Sequence, residues 1–150
     1  ARRANQPIEL ATDLRSGPDY DRAIAGGFTF RPAVPMSLDI DDYRTYISSS
    51  RGEFTVSKDL YVRTHSGWFS DRTVCYLAAG RPVVTQFTGF EKLVPSGVGL
   101  LGFDDADGAV EAIRQINSDY PRHAQAAREI AREYFDALKL LDEMAAEAGL

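Results

Sequence analysis

Residues 66–84, SGWFSDRTVCYLAAGRPVV, constrain the fold more than any other stretch of the chain. They read as a loop, a capped helix of about ten residues, a glycine stop and a β-branched strand. Ser70 suits the N-cap and Asp71 the first turn, where the helix dipole favours an anion. Val74, Leu77 and Ala78 share one helical face, and Gly80 supplies the left-handed residue that ends the helix. Pro82-Val83-Val84 then enters a strand too apolar to leave one face in water, as in a buried parallel sheet. A helix N-terminus reached from a Gly/Ser/Thr-rich loop at a sheet edge is a natural phosphate seat. An ordinary αβ unit that binds nothing satisfies the same spacing, and the two readings stand level on spacing alone.

The rest of the chain repeats this alternation. Residues 8–11 form a first strand, and Pro18-Asp19-Tyr20 open a helix that closes at Gly26-Gly27. Residues 28–31 form a second strand, and residues 32–35 a proline-rich turn into a polar loop. A helix over residues 40–49 gathers Tyr43, Tyr46 and Ile47. Residues 53–57 make a third strand, 58–69 a loop, 70–79 the capped helix, 82–86 a fourth strand and 99–103 a fifth. Asp104 or Asp105 caps the next helix, where Val110, Ile113 and Ile116 recur in steps of three. Asp119 and Pro121 start another, with Ala127, Ile130, Ala131 and Tyr134 on its apolar face. The last helical run carries Leu138, Leu141 and Met144, and either lies across the surface or reaches toward a partner domain.

The pattern predicts an α/β fold: a three-layer Rossmann-like domain with a parallel sheet of about five strands and extra C-terminal helices. At 150 residues the chain fits a single domain. Ligands of such folds bind outside the carboxyl ends of the strands, here the loops at residues 31–39, 58–69 and 86–96. A net charge of −5 and the lack of a basic stripe argue against nucleic acid as a partner. No apolar run approaches the roughly 20 residues of a transmembrane segment. Without a signal peptide the expected location is cytoplasmic. The opening Ala1-Arg2-Arg3-Ala4 reads as a piece cut from a larger protein.

Six segments then carry a resemblance: GEFTVSKDLYV (residues 52–62), SGWFSDRT, YLAAGRPVV, QFTGF, GVGLLGF (residues 97–103) and AREIAREYFDALKLL. In this order and spacing they resemble bacterial glycosyltransferases of the two-Rossmann-domain GT-B kind, over most of the chain from about Asp19 onward. The resemblance implies the C-terminal, donor-binding half of a hexose-transferring enzyme. It would bind a nucleoside-diphosphate sugar, with the acceptor domain upstream and this half inactive on its own. Negative charge builds on the diphosphate as the glycosidic bond breaks, so donors are required there. Ser70, Asp71, Arg72 and Thr73 supply backbone amides, two hydroxyls and a guanidinium, and Lys58, Arg63 and His65 are further cationic candidates. Taken singly, each is better explained as an ordinary solvated surface residue; it is their density in one loop that favours a site. Thr88, Gly89, Phe90 and Glu91 occupy the loop that in this family contacts the transferred sugar. Gly89 allows close backbone approach, and Glu91 accepts from sugar hydroxyls. Many retaining relatives hold the ribose with a glutamate inside the helix after the phosphate loop. Cys75 stands there, and Gly67 stands where their earlier glutamate would.

Other constellations are weaker. His65 and His123 lie far apart, with His123 in a helix expected at the surface, and no spacing makes a catalytic pair. No residue is assigned to catalysis, and no metal or cofactor is called for besides the sugar nucleotide. HExxH, P-loop and GxGxxG strings are absent, and Gly97-Val98-Gly99 precedes a strand rather than a helix. Asp39, Asp41 and Asp42 are best explained as helix N-terminal carboxylates. Trp68 is either a core residue or a lid over a base or sugar, with core favoured, and Cys75 is expected to be a small buried apolar residue. The competing reading is a non-catalytic Rossmann-like module that docks a partner protein. A flavodoxin-like receiver ranks last, because Glu9 and Glu53 are poorly placed for its acidic pocket.

Overall fold

The sequence dictates buried strands joined by amphipathic helices, and the computed structural model, which describes residues 1–149, places them in parallel sheets. Strand β4 (Val83–Gln86) is the centre of a three-stranded sheet, between β3 (Glu53–Thr55) and β5 (Leu100–Phe103). Val84 stands opposite Phe54 on one side and Leu101 on the other. Alternation sends Val83 and Leu100 to one face and Val84 and Leu101 to the other. The first face packs under α3 (Ile40–Ser49), α5 (Asp71–Ala78) and α7 (Tyr120–Tyr134), around Ile47, Leu77, Ala127 and Ile130. The second packs under α6 (Ala106–Ser118), through Ala109, Ala112, Ile113 and Ile116. Both faces are covered, which is why β4 has no polar side.

Strands β1 (Glu9–Ala11) and β2 (Thr29–Arg31) form a separate parallel pair, with Leu10 opposite Phe30. The five strands thus form two sheets rather than the one continuous sheet expected. Helix α1 (Pro18–Ala25) joins β1 to β2, and α5 joins β3 to β4. No helix among the described residues is long and apolar enough to cross a membrane.

Local chemistry explains the helix ends. Asp39 accepts from the Asp41 and Asp42 amides, and Asp105, Asp119 and Asp136 cap α6, α7 and α8 (Ala137–Glu147) in the same way. At the end of α5, Gly80 takes φ 67°. Its amide donates to the Leu77 carbonyl at 2.9 Å, and the Arg81 amide donates to the Tyr76 carbonyl at 2.9 Å.

Several expectations are corrected. Of residues 32–35, expected as a turn, Pro32 is the N-cap and the other three belong to a short helix, α2 (Ala33–Ser37). Pro35 fits there because the first turn of a helix needs no amide partners. The loop expected over residues 58–69 contains α4 (Asp59–Arg63). Ser70 holds the N-cap position of α5, but its hydroxyl makes no cap bond. Leu77 faces inward from α5 as expected, but beside Thr73 and Tyr76 rather than Val74 and Ala78. That rotation exposes Cys75. Trp68 is not core; it stacks on Tyr61 at the surface, ring centroids 4.9 Å apart. Leu138, Leu141 and Met144 of α8 are exposed.

His123, expected at the surface, is buried, and its Nδ1 accepts from the Gly99 amide at 3.1 Å. Burial first, then the Arg122 charge, lower its pKa, against a smaller upward pull from Asp119. Only the neutral ring can accept that bond. Its contribution to stability is therefore complete above about pH 6.5, the ordinary histidine value, and declines as pH falls toward the lower folded value. In that window the unfolded chain binds the proton first. His123→Asn keeps an acceptor that cannot titrate. Urea midpoints at pH 7.5 and pH 5 should differ less for this variant than for the wild type; an unchanged difference would remove His123 from the account.

Candidate functional site

The carboxyl ends of β3 and β4 carry the loops in which the donor-binding residues were expected. The loop ahead of α5 and the loop after β4 are tied to each other by hydrogen bonds. The Gly67 amide donates to the Thr88 carbonyl at 2.8 Å, and the Thr88 hydroxyl donates to the Trp68 carbonyl at 2.6 Å. Two aromatic side chains pin these loops to the core. Phe69 packs between Phe90 and Phe135, with centroids at 5.2 and 5.4 Å. Phe90 is 1% exposed, so its ring serves the core and only its backbone is available to a ligand. Gly89 does permit a close approach, and the group that makes it is the His65 carbonyl, 2.8 Å from where a Cβ would stand. The exposed Glu91 folds back to accept from the Gly89 amide at 3.1 Å.

Of the cationic candidates, Lys58 lies 6.0 Å from the centroid of the Tyr61 ring, and Arg63 pairs with Asp59 at 2.7 Å on the surface of α4. His65 is exposed at φ 46°, beside Thr88–Gly89 through its backbone. The structure therefore joins the His65–Ser70 and Thr88–Glu91 loops, while Lys58 and Arg63 are engaged locally on α4.

The start of α5 meets a buried carboxylate of β3 that the sequence suggested only as an ill-placed pocket acid. Glu53, whose side chain is 4% exposed, receives Arg72 Nε at 2.6 Å and the Thr73 hydroxyl at 2.7 Å. Arg72 Nη2 also donates to the Thr55 hydroxyl at 2.9 Å. Burial works against the guanidinium charge, but the Glu53 hydrogen bond and charge outweigh it, and the Arg72 pKa is raised. Two side chains expected at a diphosphate thus already bond a carboxylate of the protein. Nη1 of Arg72 and the exposed half of its side chain are left for a ligand. Partial burial first, then the Asp71 and Glu53 charges, push the pKa of the exposed Cys75 thiol up, which favours its protonated form. One signal for Glu53 was legible in sequence: an acid at the start of a strand in a sheet covered on both faces needs a buried partner.

Glu53→Ala is expected to cost about 2–3 kcal/mol, because it strands the buried Thr73 hydroxyl and half of Arg72 without an acceptor. Urea unfolding measures this; a loss under about 0.5 kcal/mol would mean that the pair does not hold α5 to β3.

A concavity of about 890 Å³ opens away from these loops, between the facing edges of β1 and β3. Glu9 lies in it, bonded to Arg31 at 2.7 Å and to the Tyr46 hydroxyl at 3.3 Å. Burial first, then the neighbouring Tyr76 and Glu9, push the Tyr46 hydroxyl up to about 12, so it remains a donor. Among the described residues no group of three or more His, Cys, Asp or Glu is placed to hold a metal ion. No family model matches the chain, and no match is found among curated proteins.

Proposed function

We propose that the chain is the donor-binding half of a glycosyltransferase, moving a hexose from a nucleoside diphosphate to an acceptor held by an N-terminal partner domain. One observation carries this reading. The segments SGWFSDRT and QFTGF, read as diphosphate and sugar loops, meet at the carboxyl ends of a parallel sheet through Gly67, Trp68 and Thr88. Parallel α/β sheets bind ligands at that end. A donor seated there would meet the start of α5, the free edge of Arg72 and the backbone of residues 88–91. The ligand is the sugar nucleotide itself, with no metal or further cofactor in the proposal, and a cytoplasmic location goes with it. A single parallel sheet of about five strands covered on both faces, the Rossmann-like form, also belongs to this reading.

Isothermal titration with UDP-, GDP- and dTDP-sugars tests it. Saturable binding of one of them, with amide shifts at residues 65–73 and 87–91, is the expected result. No saturable heat at millimolar ligand would count decisively against it. A second reading, a protein-docking module without catalysis, is favoured by the engagement of Arg72 and Thr73 with Glu53. Shifts produced by a partner protein but by no nucleotide would select it.

A further inference from the structure

The cleft between β1 and β3 lies in the plane of the sheets, where strand pairing would otherwise continue. On either side of β1, Ile8 and Thr12 bond toward β2: the Ile8 carbonyl accepts from the Thr29 amide, and the Thr12 amide donates to the Arg31 carbonyl. Along a strand, successive residues direct their amide and carbonyl groups to opposite edges. Glu9 and Ala11 therefore face the cleft. On the other side the Glu53 amide donates to Pro82 beside β4, so Phe54 faces the cleft from β3. Two parallel edges thus present unpaired backbone to one space. Above and below, the space is closed by Ile113 and Ile116 of α6 and by Tyr46 and Tyr76 of α3 and α5. The carboxylates that the two strands bring to it are paired, Glu9 with Arg31 at 2.7 Å and Glu53 with Arg72 at 2.6 Å, and the third, Asp42 of α3, is exposed to solvent. Helices on both sides, and ion pairs on the strand carboxylates, with Asp42 and Arg51 both exposed to solvent, suit an apolar strand buried on both faces better than an ionic ligand.

We propose that this cleft is a strand slot. Its occupant is an extended apolar segment of the gene product ahead of Ala1, running parallel to β1 and β3 and joining both sheets into one. The source is argued from the path of the chain. Ala4 is buried against α6 in the layer beneath the slot, the Arg2 amide donates to the Gly26 carbonyl, and Gln6 and Pro7 line the cleft on the way into β1. A crossover from a neighbouring parallel strand arrives by that route. The inference rests on the chain being part of a larger protein, the reading made above, but not on nucleotide binding.

Amide exchange and nuclear Overhauser contacts in the full-length gene product, set beside the 150-residue chain, test it. The Glu9, Ala11 and Phe54 amides should exchange about 100-fold or more slowly in the full-length protein than in the shorter chain, with the Val84 amide protected in both. The Ala11 and Phe54 amides should each contact one upstream segment. If the shorter chain exchanges globally, the full-length protein decides alone, through those contacts. Fast exchange of the three amides in the full-length protein overturns the proposal. So does a direct contact between Ala11 and Phe54, which would mean that the edges close on each other. A full-length protein that binds sugar nucleotide yet shows either result loses the slot and keeps the donor site.

Discussion

Gly99→Ala is expected to destabilise the protein by about 3–5 kcal/mol, a large share of the 5–15 kcal/mol typical of a folded domain. Gly99 takes φ 79°, where a side chain costs about 1–2 kcal/mol. Its added Cβ would stand 2.4 Å from the Ala127 amide nitrogen and 2.8 Å from the Ala126 carbonyl carbon. Those are backbone atoms of α7, so no rotamer change relieves the contact, and helix and strand must separate. Separation also lengthens the bond from the Gly99 amide to buried His123. Gly67→Ala is the control: φ is 75°, and nothing lies within 4 Å of its Cβ position. It should lose about 1–2 kcal/mol, the strain alone. Urea unfolding of both variants gives the comparison. Equal losses would mean that α7 does not press on the start of β5.

Phe90→Ala is expected to cost about 3–5 kcal/mol, because it empties a core position that has little freedom to collapse. The ring is 1% exposed and packs against Phe69 and Phe87, at 5.2 and 5.9 Å. Phe69 in turn stacks on Phe135 beyond α7, so the cavity would loosen both loops of the candidate donor site together. The neighbouring Glu91→Ala removes an exposed carboxylate and should change stability by less than about 1 kcal/mol. In unfolding experiments the two variants should therefore separate widely. A Phe90 variant as stable as the wild type would place the ring outside the core.

Much of the fold was legible because its signals are local. Asp39 reads as a cap, and it caps. Gly80 reads as a helix stop, and the left-handed bonds are there. Val83-Val84 read as a strand buried on both faces, and α5, α7 and α6 cover it. Burial of α5 was less legible. Apolar spacing selected Val74 and Ala78, whereas Thr73 and Tyr76 turn inward, because Glu53 supplies Thr73 with a partner from 20 residues away. Cys75 is exposed by the same rotation. His123 was placed at the surface because its acceptor role depends on an amide 24 residues away, at Gly99.

The sequence by itself determined where the five strands and the longer helices fall, and most of their caps and stops. Each of these follows from the conformational preferences of a few adjacent residues. Tertiary structure decided which polar groups satisfy one another. It set Glu53 on Arg72 and Thr73, drew Gly67 and Trp68 onto Thr88, and left an open slot between β1 and β3. Such pairings depend on distances between residues remote in the chain, and on the cost of burying a donor or acceptor without a partner.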